Sequence, residues 1–392
     1  MTTQIPKLRF PEFSDLGNKS NIKHSFSDIF LFSTGKNIKQ NEASPDFETP
    51  CVRYGELYYM YNEVITKVFN KTNLDKSELL LSKGDEILLP SAGEDPLDIG
   101  SASALTIENV AIGRTINILK PSKNNVYSQI YVAYYINHKL RKKISTLAKG
   151  SSISNVYNSD LKTLEIILPT LAEQTKIANF LTTIEEKIQA LKEKKRLSEE
   201  YKKGLMQKIF SQEIRFKKDD GSDFDDWEQK SLGEIALKKS SSISANKIEE
   251  NFGDFIIYGA SGVLKRVDFY EEENDYVSIV KDGAGAGRLL FCKGKSSVLG
   301  TMEIIKPKLS VNTYFLFYLL STFDFTKYIT GSTIPHIYFK DYSLELCELP
   351  SREEQDKIAH FLTAIDEKIE KVIHLIEEAQ TYKKGLLQQM FV

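Results

Sequence analysis

One stretch of the sequence occurs twice, as Pro169-Thr-Leu-Ala-Glu-Gln-Thr-Lys-Ile-Ala-Asn-Phe-Leu-Thr-Thr-Ile-Glu-Glu-Lys-Ile188 and as Pro350-Ser-Arg-Glu-Glu-Gln-Asp-Lys-Ile-Ala-His-Phe-Leu-Thr-Ala-Ile-Asp-Glu-Lys-Ile369. The copies stand 181 residues apart (350 − 169), and they align without a gap. The same offset holds at Tyr201-Lys-Lys-Gly-Leu205 and Tyr382-Lys-Lys-Gly-Leu386. Self-similarity at a fixed offset indicates two related structural units, each containing one copy.

The repeat extends beyond these segments. Gly150-Ser-Ser-Ile153 matches Gly331-Ser-Thr-Ile334 at the same offset, whereas Leu8-Arg-Phe10 matches Ile214-Arg-Phe216 at an offset of 206 (214 − 8). Each unit therefore has a short Arg-Phe lead, a variable stretch and a shared segment, and the first variable stretch is the longer by 25 residues (206 − 181).

Both shared segments are predicted to be long helices. Each begins with a capping box directly after a Leu-Pro pair, Thr170-x-x-Glu173 and Ser351-x-x-Glu354. Apolar residues then recur at helical spacing: Ile177, Phe180, Leu181, Ile184 and Ile188 in the first copy, and Ile358, Phe361, Leu362, Ile365 and Ile369 in the second. Two helices of about 40 residues, roughly 60 Å long, are expected to pack through these residues as an antiparallel coiled coil. Gly204 and Gly385 recur near the far ends, where we expect them to permit close packing of the two backbones.

The variable stretches predict two α/β (α+β) domains rich in short strands. Strand-to-turn patterns are Thr49–Gly55, Asp85–Pro90, Asp254–Gly262 and Ser278–Gly287. Tyr131–Leu140 is interpreted as an amphipathic helix and Thr313–Leu320 as its counterpart. The predicted division is a first domain over residues 1–168, a first long helix over 169–212, a second domain over 213–349 and a second long helix over 350–392. The acidic connector over residues 219–226 is expected to be solvated and to have no role.

Composition limits the class of protein. With 392 residues, 41% of them hydrophobic, the chain is long enough for two cores. A formal net charge of −2 excludes a uniformly basic nucleic-acid-binding surface, although not local basic patches. The apolar run Tyr314–Leu320 is far shorter than the roughly 20 residues that span a bilayer, and Met1–Phe10 has no signal-peptide core. Three widely spaced cysteines (51, 292 and 347) form no disulfide framework, so we expect a soluble, reduced, cytoplasmic protein.

The sequence has none of the common catalytic or nucleotide-binding motifs. Gly283, Gly285 and Gly287 lack the dinucleotide-binding spacing, because Arg288 occupies the last glycine position. A P-loop ending at Ser296 would need glycine at position 289, which is leucine. The five histidines form no zinc-type cluster, and no Asn/Asp-Pro-Pro-aromatic signature of adenine methyl transfer occurs. We therefore expect a non-catalytic chain that binds no metal or cofactor.

The two copies of Leu-Pro-x-x-x-Glu-Gln-x-Lys-Ile-Ala-x-Phe-Leu, each followed by Tyr-Lys-Lys-Gly-Leu-x-Gln-x-x-Phe, resemble the specificity (S) subunits of type I restriction–modification systems. Pro6-Lys-Leu-Arg-Phe-Pro-Glu-Phe13, Tyr258-Gly-Ala-Ser-Gly262 and Gly331-Ser-Thr-Ile-Pro335 fit the same family. The resemblance covers essentially the whole chain. One departure is Ser154, which stands where the second copy has Pro335 and affects the local loop.

This resemblance implies that two target recognition domains each read one half of a bipartite, asymmetric site in double-stranded DNA. It implies that the helical pair sets the unread spacer and binds two methyltransferase (M) subunits, which bring S-adenosylmethionine. Restriction (R) subunits, which use ATP and Mg, then join the complex, and this chain holds no cofactor itself. A pseudo-twofold protein suits a two-part site, and the low net charge suggests that the isolated chain binds DNA weakly.

Candidate DNA contacts follow from the side chains that such sites use. Lys and Arg contact phosphates, whereas base edges are read by Arg, Lys, Asn, Gln and hydroxyl groups on exposed loops. In the first domain the candidates are Lys36, Lys39, Gln40, Arg53, Tyr54, Arg114, Ser151 and Ser152. In the second they are Tyr258, Ser261, Lys265, Lys281, Arg288, Ser332, Thr333 and His336. The Gly-Ser-x-Ile motif has an alternative interpretation, as a turn that attaches each domain to its helix.

Two other functions compete with this interpretation. A coiled-coil scaffold that binds proteins and no DNA would also need long helices. It would not need similar basic and glycine-rich loops at corresponding ends of both domains. A nuclease or nucleotide-dependent transferase would need motifs that the sequence lacks.

Overall fold

Each shared segment forms one long helix, Leu171–Phe210 and Arg352–Met390, in the computed structural model, which describes residues 6–14, 21–123, 126–249 and 251–391. Residues 1–5 of the opening segment discussed above lie outside the described residues. The predicted capping hydroxyls are confirmed, because Thr170 Oγ1 accepts from the N–H of Glu173 at 3.3 Å and Ser351 Oγ from that of Glu354 at 3.4 Å. The two glutamates have a different partner from the one that a capping box predicts. Each buried carboxylate binds an arginine of the Arg-Phe lead.

The chain forms two compact units that divide inside the long helices. Unit 1 comprises Met1–Leu191 and Leu375–Val392, and unit 2 comprises Lys192–His374. Each unit thus contains one variable domain, the first part of one long helix and the last part of the other. The sequence-based division placed the helices outside the domains, whereas here they complete the cores.

In the described part of unit 1 the strands are β1 Ile22–Ser25, β2 Phe30–Thr34, β3 Thr49–Val52, β4 Val64–Ile65, β5 Asn70–Thr72, β6 Leu81–Lys83, β7 Glu86–Pro90, β8 Ala92–Gly93, β9 Ser103–Leu105, β10 Glu108–Ile112, β11 Ile116–Pro121, β12 Ser154–Asn155 and β13 Glu165–Leu168. Its shorter helices are Pro11–Ser14, Phe26–Ile29, Glu56–Tyr59, Pro96–Ile99, Gln129–Tyr135, Arg141–Thr146 and Asn158–Leu161, with a π-helix at Ile136–Leu140 and 3-10 turns at Gln40–Glu42 and Lys76–Glu78. The strands form a five-stranded sheet (β2-β11-β7-β9-β4), a four-stranded sheet (β5-β3-β10-β6) and two strand pairs (β1-β13, β8-β12).

Unit 2 contains β14 Glu228–Ser231, β15 Ala236–Ser240, β16 Phe255–Gly259, β17 Gly262–Val267, β18 Tyr276–Val280, β19 Leu289–Cys292, β20 Ser296–Val298, β21 Met302–Pro307 and β22 Leu346–Leu349. Its shorter helices are Leu232–Ile235, Thr313–Leu320 and Phe339–Tyr342, with 3-10 turns at Ala245–Lys247 and Phe325–Tyr328. A four-stranded sheet (β15-β21-β18-β19), a three-stranded sheet (β17-β16-β20) and the pair β14-β22 result.

The two units share a framework that the variable sequences conceal. Antiparallel β11 pairs with β2 so that Pro121 lies opposite Phe30, and β21 pairs with β15 so that Pro307 lies opposite Ala236. β7 pairs with the other edge of β11, and β18 pairs with the other edge of β21, so β11 and β21 are the central strands of two equivalent three-stranded arrangements. The internal repeat therefore includes the centre of each domain as well as the helices.

The apolar residues of the long helices are buried as predicted, but in a wider core. All ten lie in the cores of the units, eight of them buried and the two phenylalanines partly buried. In unit 1 they share the core with the Gln129–Tyr135 helix and with Leu386 and Met390 of the second long helix. In unit 2 they share it with the Thr313–Leu320 helix and with Ile209 of the first. In unit 1, Lys383 contacts Glu185, and the later Leu386 and Met390 share the core of the earlier Ile177 and Leu181, so the helices are antiparallel there.

The predicted close packing at the two helix glycines is wrong. A Cβ atom built on Gly204 or on Gly385 meets no atom within 4 Å. Neither glycine therefore marks a site where two backbones approach.

Two further sequence predictions need correction. The Tyr131–Leu140 segment is α-helical only to Tyr135 and continues as a π-helix, and residues 131–136 are all buried, so the segment is a core element and not an amphipathic helix. The acidic residues of the connector are exposed, as expected, but the connector has a structural role, because Lys357 Nζ donates to Asp219 Oδ1 at 2.6 Å and an Arg215 N–H donates to the carbonyl oxygen of Asp225 at 2.7 Å. The other predicted strands and the Thr313–Leu320 helix are confirmed.

Among the described residues, no helix is both long enough and apolar enough to span a membrane. The three cysteines are free and buried.

Candidate nucleic-acid interface

Three loops meet at one end of the unit 1 domain, and we call residues 91–93, 113–115 and 150–156 loop cluster 1. The N–H of Ser91 donates to the carbonyl oxygen of Thr115 at 2.8 Å, and the N–H of Val156 donates to that of Ser91 at 3.0 Å. β8 and β12 add an antiparallel pair in which Ser154 lies opposite Gly93. Backbone hydrogen bonds thus fix the three loops relative to one another.

Unit 2 repeats this arrangement in loop cluster 2, which comprises residues 281–288, 299–301 and 331–337. Lys281 N–H donates to the carbonyl oxygen of Thr301 at 3.0 Å, and Ile337 N–H donates to that of Lys281 at 3.0 Å. Gly283 N–H donates to the carbonyl oxygen of Pro335 at 2.9 Å. The same backbone connections join different side chains in the two clusters.

The Gly-Ser-x-Ile motif forms an outward turn in both clusters. Gly150 has φ 125° and Gly331 has φ 88°, and an added Cβ would lie 2.1 Å and 2.4 Å from the carbonyl oxygens of Ile153 and Ile334. Only glycine fits such a turn. The two residues after each glycine are exposed, and these isoleucines are 58% and 55% exposed. This exposure argues against a turn that attaches the domain to its helix.

Lys36 lies on a segment whose backbone pairs with the Arg114 loop of loop cluster 1. Lys36 N–H donates to the carbonyl oxygen of Ile112 at 3.0 Å, and Arg114 N–H donates to that of Asn37 at 3.0 Å. Both side chains are exposed. Lys39 follows on the same loop with its ammonium group 3.9 Å from Glu42, and the neighbouring Gln40 is also exposed.

Arg53 and Tyr54 lie beside the same cluster, and their side chains have different partners. The Arg53 guanidinium binds the fully buried carboxylate of Glu56 at 2.8 Å, so its charge is already paired. Tyr54 is 40% exposed, and its ring packs edge-on to Tyr58, whose hydroxyl donates to the carbonyl oxygen of Ala92. All eight candidates of the first domain therefore lie in or beside loop cluster 1, and Ser151 and Ser152 lie on its outward turn.

Loop cluster 2 gathers most candidates of the second domain. Arg288 donates to the carbonyl oxygen of Ala260 at 3.1 Å, which joins the glycine loop to the turn that carries the exposed Ser261. Asp282 Oδ1 lies 2.7 Å from Nδ1 of His336, and Lys281 lies 3.8 Å from the same carboxyl group. Ser332 and Thr333 complete the exposed surface.

Two candidates have structural roles. Tyr258 is 8% exposed, its hydroxyl accepts from the N–H of Lys293 at 3.4 Å, and burial raises its pKa, so the phenol is a protonated core group. Lys265 donates to the carbonyl oxygens of Ile248, at 2.6 Å, and of Glu249. The alternating pattern of a strand does not show which of its two faces is exposed to solvent, so the sequence did not reveal the structural roles of Tyr258 and Lys265.

Sequence reasoning missed Asp282, which orients His336 although 54 residues separate them. A usable signal was the register of the repeat, since His336 occupies the position of Asn155 in unit 1. Asn155 instead donates from its amide to the carbonyl oxygen of Ile153 at 3.1 Å. The side chains of the two loop clusters thus differ at positions where their backbone frameworks are the same.

No group of three or more His, Cys, Asp or Glu side chains suited to a metal ion occurs within the described ranges. The candidate interface consists of hydroxyl, cationic, imidazole and carboxylate groups on rigidly held loops. Such groups make hydrogen bonds to base edges and ion pairs to phosphates.

The chain is similar to known proteins along most of its length. Residues 23–199 and 224–380 match the family described as Type I restriction modification DNA specificity domain. The type I restriction enzyme MjaVIII specificity subunit of Methanocaldococcus jannaschii is 24% identical over 363 residues, which cover 84% of this chain and 82% of that protein. A crystal structure of an S subunit of a type I restriction–modification system from M. genitalium covers 99% of both chains with a TM-score of 0.71 and 18% identity. A chain from a structure of type I R-M complex assembly and conformational transition covers 95% of this chain and 96% of its own length, with a TM-score of 0.50 and 16% identity. At these identities the two structures support the fold alone.

Proposed function

The chain belongs to the type I restriction modification DNA specificity family and is a specificity subunit, not a catalytic one, and from that membership we propose how its units divide the work. Loop cluster 1 reads one half of a bipartite site in double-stranded DNA, and loop cluster 2 reads the other half. Because the side chains of the two clusters differ, the two half-sites differ and the site is asymmetric.

One observation carries this proposal. The backbone hydrogen bonds from residue 91 to 115 and from 156 to 91 recur from 281 to 301 and from 337 to 281. A repeated framework that presents unlike side chains is suited to reading two unlike sequences in equivalent ways. A protein-binding scaffold would not need this framework at the corresponding end of each domain.

The long helices have a separate task in this proposal. They set the number of unread base pairs between the half-sites and bind two methyltransferase subunits, one for each copy of the repeated segment. Those subunits supply S-adenosylmethionine, and restriction subunits that use ATP and Mg join afterwards. We place this assembly in the cytoplasm, where the target DNA is.

The test is to co-express the chain with its methyltransferase subunit and to map N6-methyladenine by single-molecule sequencing. A bipartite, asymmetric methylated motif with a fixed gap is expected, and it should vanish when this chain is omitted. A stable complex that adds no chain-dependent methylation would contradict the proposal and favour the scaffold.

A domain exchange separates the two units. Replacing residues 23–168 with the equivalent stretch of another specificity subunit should change one half-site and leave the other, and the gap, unaltered. A change in both half-sites would contradict the assignment of one half-site to each loop cluster. The reciprocal exchange of residues 228–349 is the matched control.

A further inference from the structure

The arginines of this chain fall into two groups. Six of the nine bind carboxylates: Arg9 with Glu173, Arg53 with Glu56, Arg141 with Asp98, Arg196 with Glu193, Arg215 with Glu354 and Arg352 with Asp356. Among the described residues, Arg114, Arg266 and Arg288 have no carboxylate partner. In a chain with slightly more acidic than basic residues, an arginine without an acidic partner is informative.

Hydrogen bonds hold the backbone of Arg114 in place, whereas its side chain has no polar partner. Its N–H donates to the carbonyl oxygen of Asn37, and the preceding Gly113 N–H donates to that of Val52 at 2.8 Å. The loop has two β-branched residues in the left-handed region, Ile38 at φ 55° and Thr115 at φ 67°. Strained backbone of this kind persists where the surrounding structure enforces it, and it clusters at functional sites. The exposed guanidinium makes no hydrogen bond or ion pair with any residue that the structure describes.

Arg288 lies on a different loop, the glycine loop of loop cluster 2, since the equivalence of residues 115 and 301 makes Gly300 the counterpart of Arg114. Its N–H donates to the carbonyl oxygen of Gly285 at 3.0 Å, and its own carbonyl oxygen accepts from Val280 at 2.9 Å. One side-chain N–H donates to Ala260, which leaves four of the five guanidinium donors without a described acceptor. Gly283 and Gly287, at φ 94° and 90°, shape the loop that presents it.

Arg266 lies outside the loop clusters. It is on β17, opposite Ile256 of β16, whereas the turn beside Arg288 is at the other end of this hairpin, between Gly259 and Gly262. Its side chain donates to the carbonyl oxygen of Asp254 at 2.9 Å. It therefore serves as a control for an exposed arginine without a carboxylate.

We propose that Arg114 reads a guanine in one half-site and that Arg288 reads a guanine in the other. This rests on the proposed function of the loop clusters. The planar guanidinium fork matches the O6 and N7 acceptors of guanine in the major groove, a contact that needs a fixed approach direction. The backbone bonds of both loops supply that direction, and the nearby Lys36 and Lys281 can meet phosphates without such constraint.

The experiment replaces one arginine at a time and maps N6-methyladenine in the co-expressed complex. Arg114→Ala should relax one guanine position in one half-site by about 5- to 150-fold, the range of discrimination that a bidentate contact provides. Arg288→Ala should relax one guanine position in the other half-site. Arg114→Lys and Arg288→Lys should relax the same positions to a smaller degree, because an ammonium group on a flexible stem lacks the rigid planar fork of the guanidinium group.

Arg266→Ala and Arg141→Ala are the controls and should leave the motif intact. A uniform decrease of methylation by Arg114→Ala or Arg288→Ala, with the motif unchanged, would overturn the inference in favour of a phosphate contact. An unchanged motif and level would also overturn it. A wild-type complex that yields no bipartite motif would contradict the proposed function itself. The guanidinium of Arg114 makes no hydrogen bond or ion pair with a described residue, so its variants should keep the wild-type thermal midpoint.

Discussion

The ammonium group of Lys202 donates to both carboxylate oxygens of Asp366, at 2.6 and 2.8 Å, and so links the two long helices within unit 2. Unit 1 contains the counterpart, in which Lys383 lies 2.9 Å from Glu185. Each lysine belongs to the Tyr-Lys-Lys-Gly-Leu motif and each acid to the repeated stretch that begins at the capping hydroxyl. The repeat therefore encodes one interhelical ion pair for each unit.

A tyrosine of the variable domain joins each pair. Lys202 lies 5.0 Å from the ring centre of Tyr318, whose hydroxyl donates to Asp366 at 2.7 Å, and Lys383 lies 5.3 Å from the ring centre of Tyr134. These contacts tie the buried helix of each domain to the long helices. The lysine–tyrosine contact recurs in both units, whereas the hydrogen bond from the tyrosine hydroxyl to the acid is found in unit 2 and not in the described residues of unit 1.

Replacing Lys383 with methionine should destabilise unit 1 by about 3 kcal/mol, because the Glu63 and Glu185 carboxylates then lose the cation that both contact. Urea denaturation followed by circular dichroism measures the loss. Burial lowers the pKa of Lys383, but the two carboxylates raise it by more, so the net pKa is raised. The ion pair should therefore stabilise fully at neutral pH, and the difference from wild type should shrink above pH 10.5, as the ammonium group deprotonates. Lys384→Met, at the exposed neighbour, should have little effect at either pH. Equal losses from both variants would contradict a role for the pair.

Trp227 is the sole tryptophan and reports on unit 2. Its indole N–H donates to Glu354 at 3.0 Å, and the same carboxylate, which is fully buried, binds Arg215 at 2.8 Å. Glu354→Ala should destabilise unit 2 by about 3 kcal/mol, because the partly exposed Arg215 loses its buried carboxylate partner and the indole N–H of Trp227 loses its acceptor. It should also shift the tryptophan emission in the folded protein. Glu173→Ala removes the equivalent pair of unit 1 and should leave the emission unchanged. A shift of equal size in both variants would contradict this assignment.

The cysteines should resist thiol reagents until the protein unfolds. Burial raises the pKa of Cys51 and Cys292 to about 12 and that of Cys347 to about 11, so the thiolate is scarce at pH 8. Labelling with a chromogenic disulfide should count no reactive thiol in native buffer and three in guanidinium chloride. Rapid labelling of any cysteine in native buffer would contradict the burial described here.

Alanine at either helix glycine should stabilise the protein. Since a Cβ at Gly204 or Gly385 meets nothing within 4 Å, Gly204→Ala and Gly385→Ala should each gain about 0.5–1 kcal/mol through lower backbone entropy in the unfolded chain. Gly35→Ala is the opposite case, because its Cβ would lie 1.9 Å from the carbonyl oxygen of Gly113. Thermal unfolding of the three variants measures both signs. A lower midpoint for the two helix variants would restore the close-packing interpretation.

The sequence predicted the helices well because helical spacing and capping hydroxyls are local signals. Burial of Ile177 and Ile358 followed from their position in the apolar pattern. The prediction for Gly204 was wrong because a repeated glycine suggests close packing of two backbones, whereas the distance between the backbones depends on the tertiary structure.

The interface was predictable as a set of loops and less so residue by residue. Arg114 and Arg288 look like Arg53 in sequence, and only the fold shows that Glu56 neutralises Arg53. Tyr258 follows a strand pattern that leaves its facing ambiguous, and the structure places it in the core. The contact between Asp282 and His336 depends on a loop pairing across 54 residues, which no local pattern encodes.

The composition of unit 1 also sets an order of events on the ribosome. Its core includes Leu386, Met390 and Phe391, which are synthesised after all of unit 2, whereas the main core of unit 2 lies wholly within residues 192–374. Domains usually fold in the order of their synthesis. Here the core of unit 1 stays incomplete until the synthesis of unit 2 has ended. The nascent chain thus exposes apolar surface of unit 1 throughout the translation of unit 2. We expect a chaperone or a methyltransferase subunit to bind this surface during that interval.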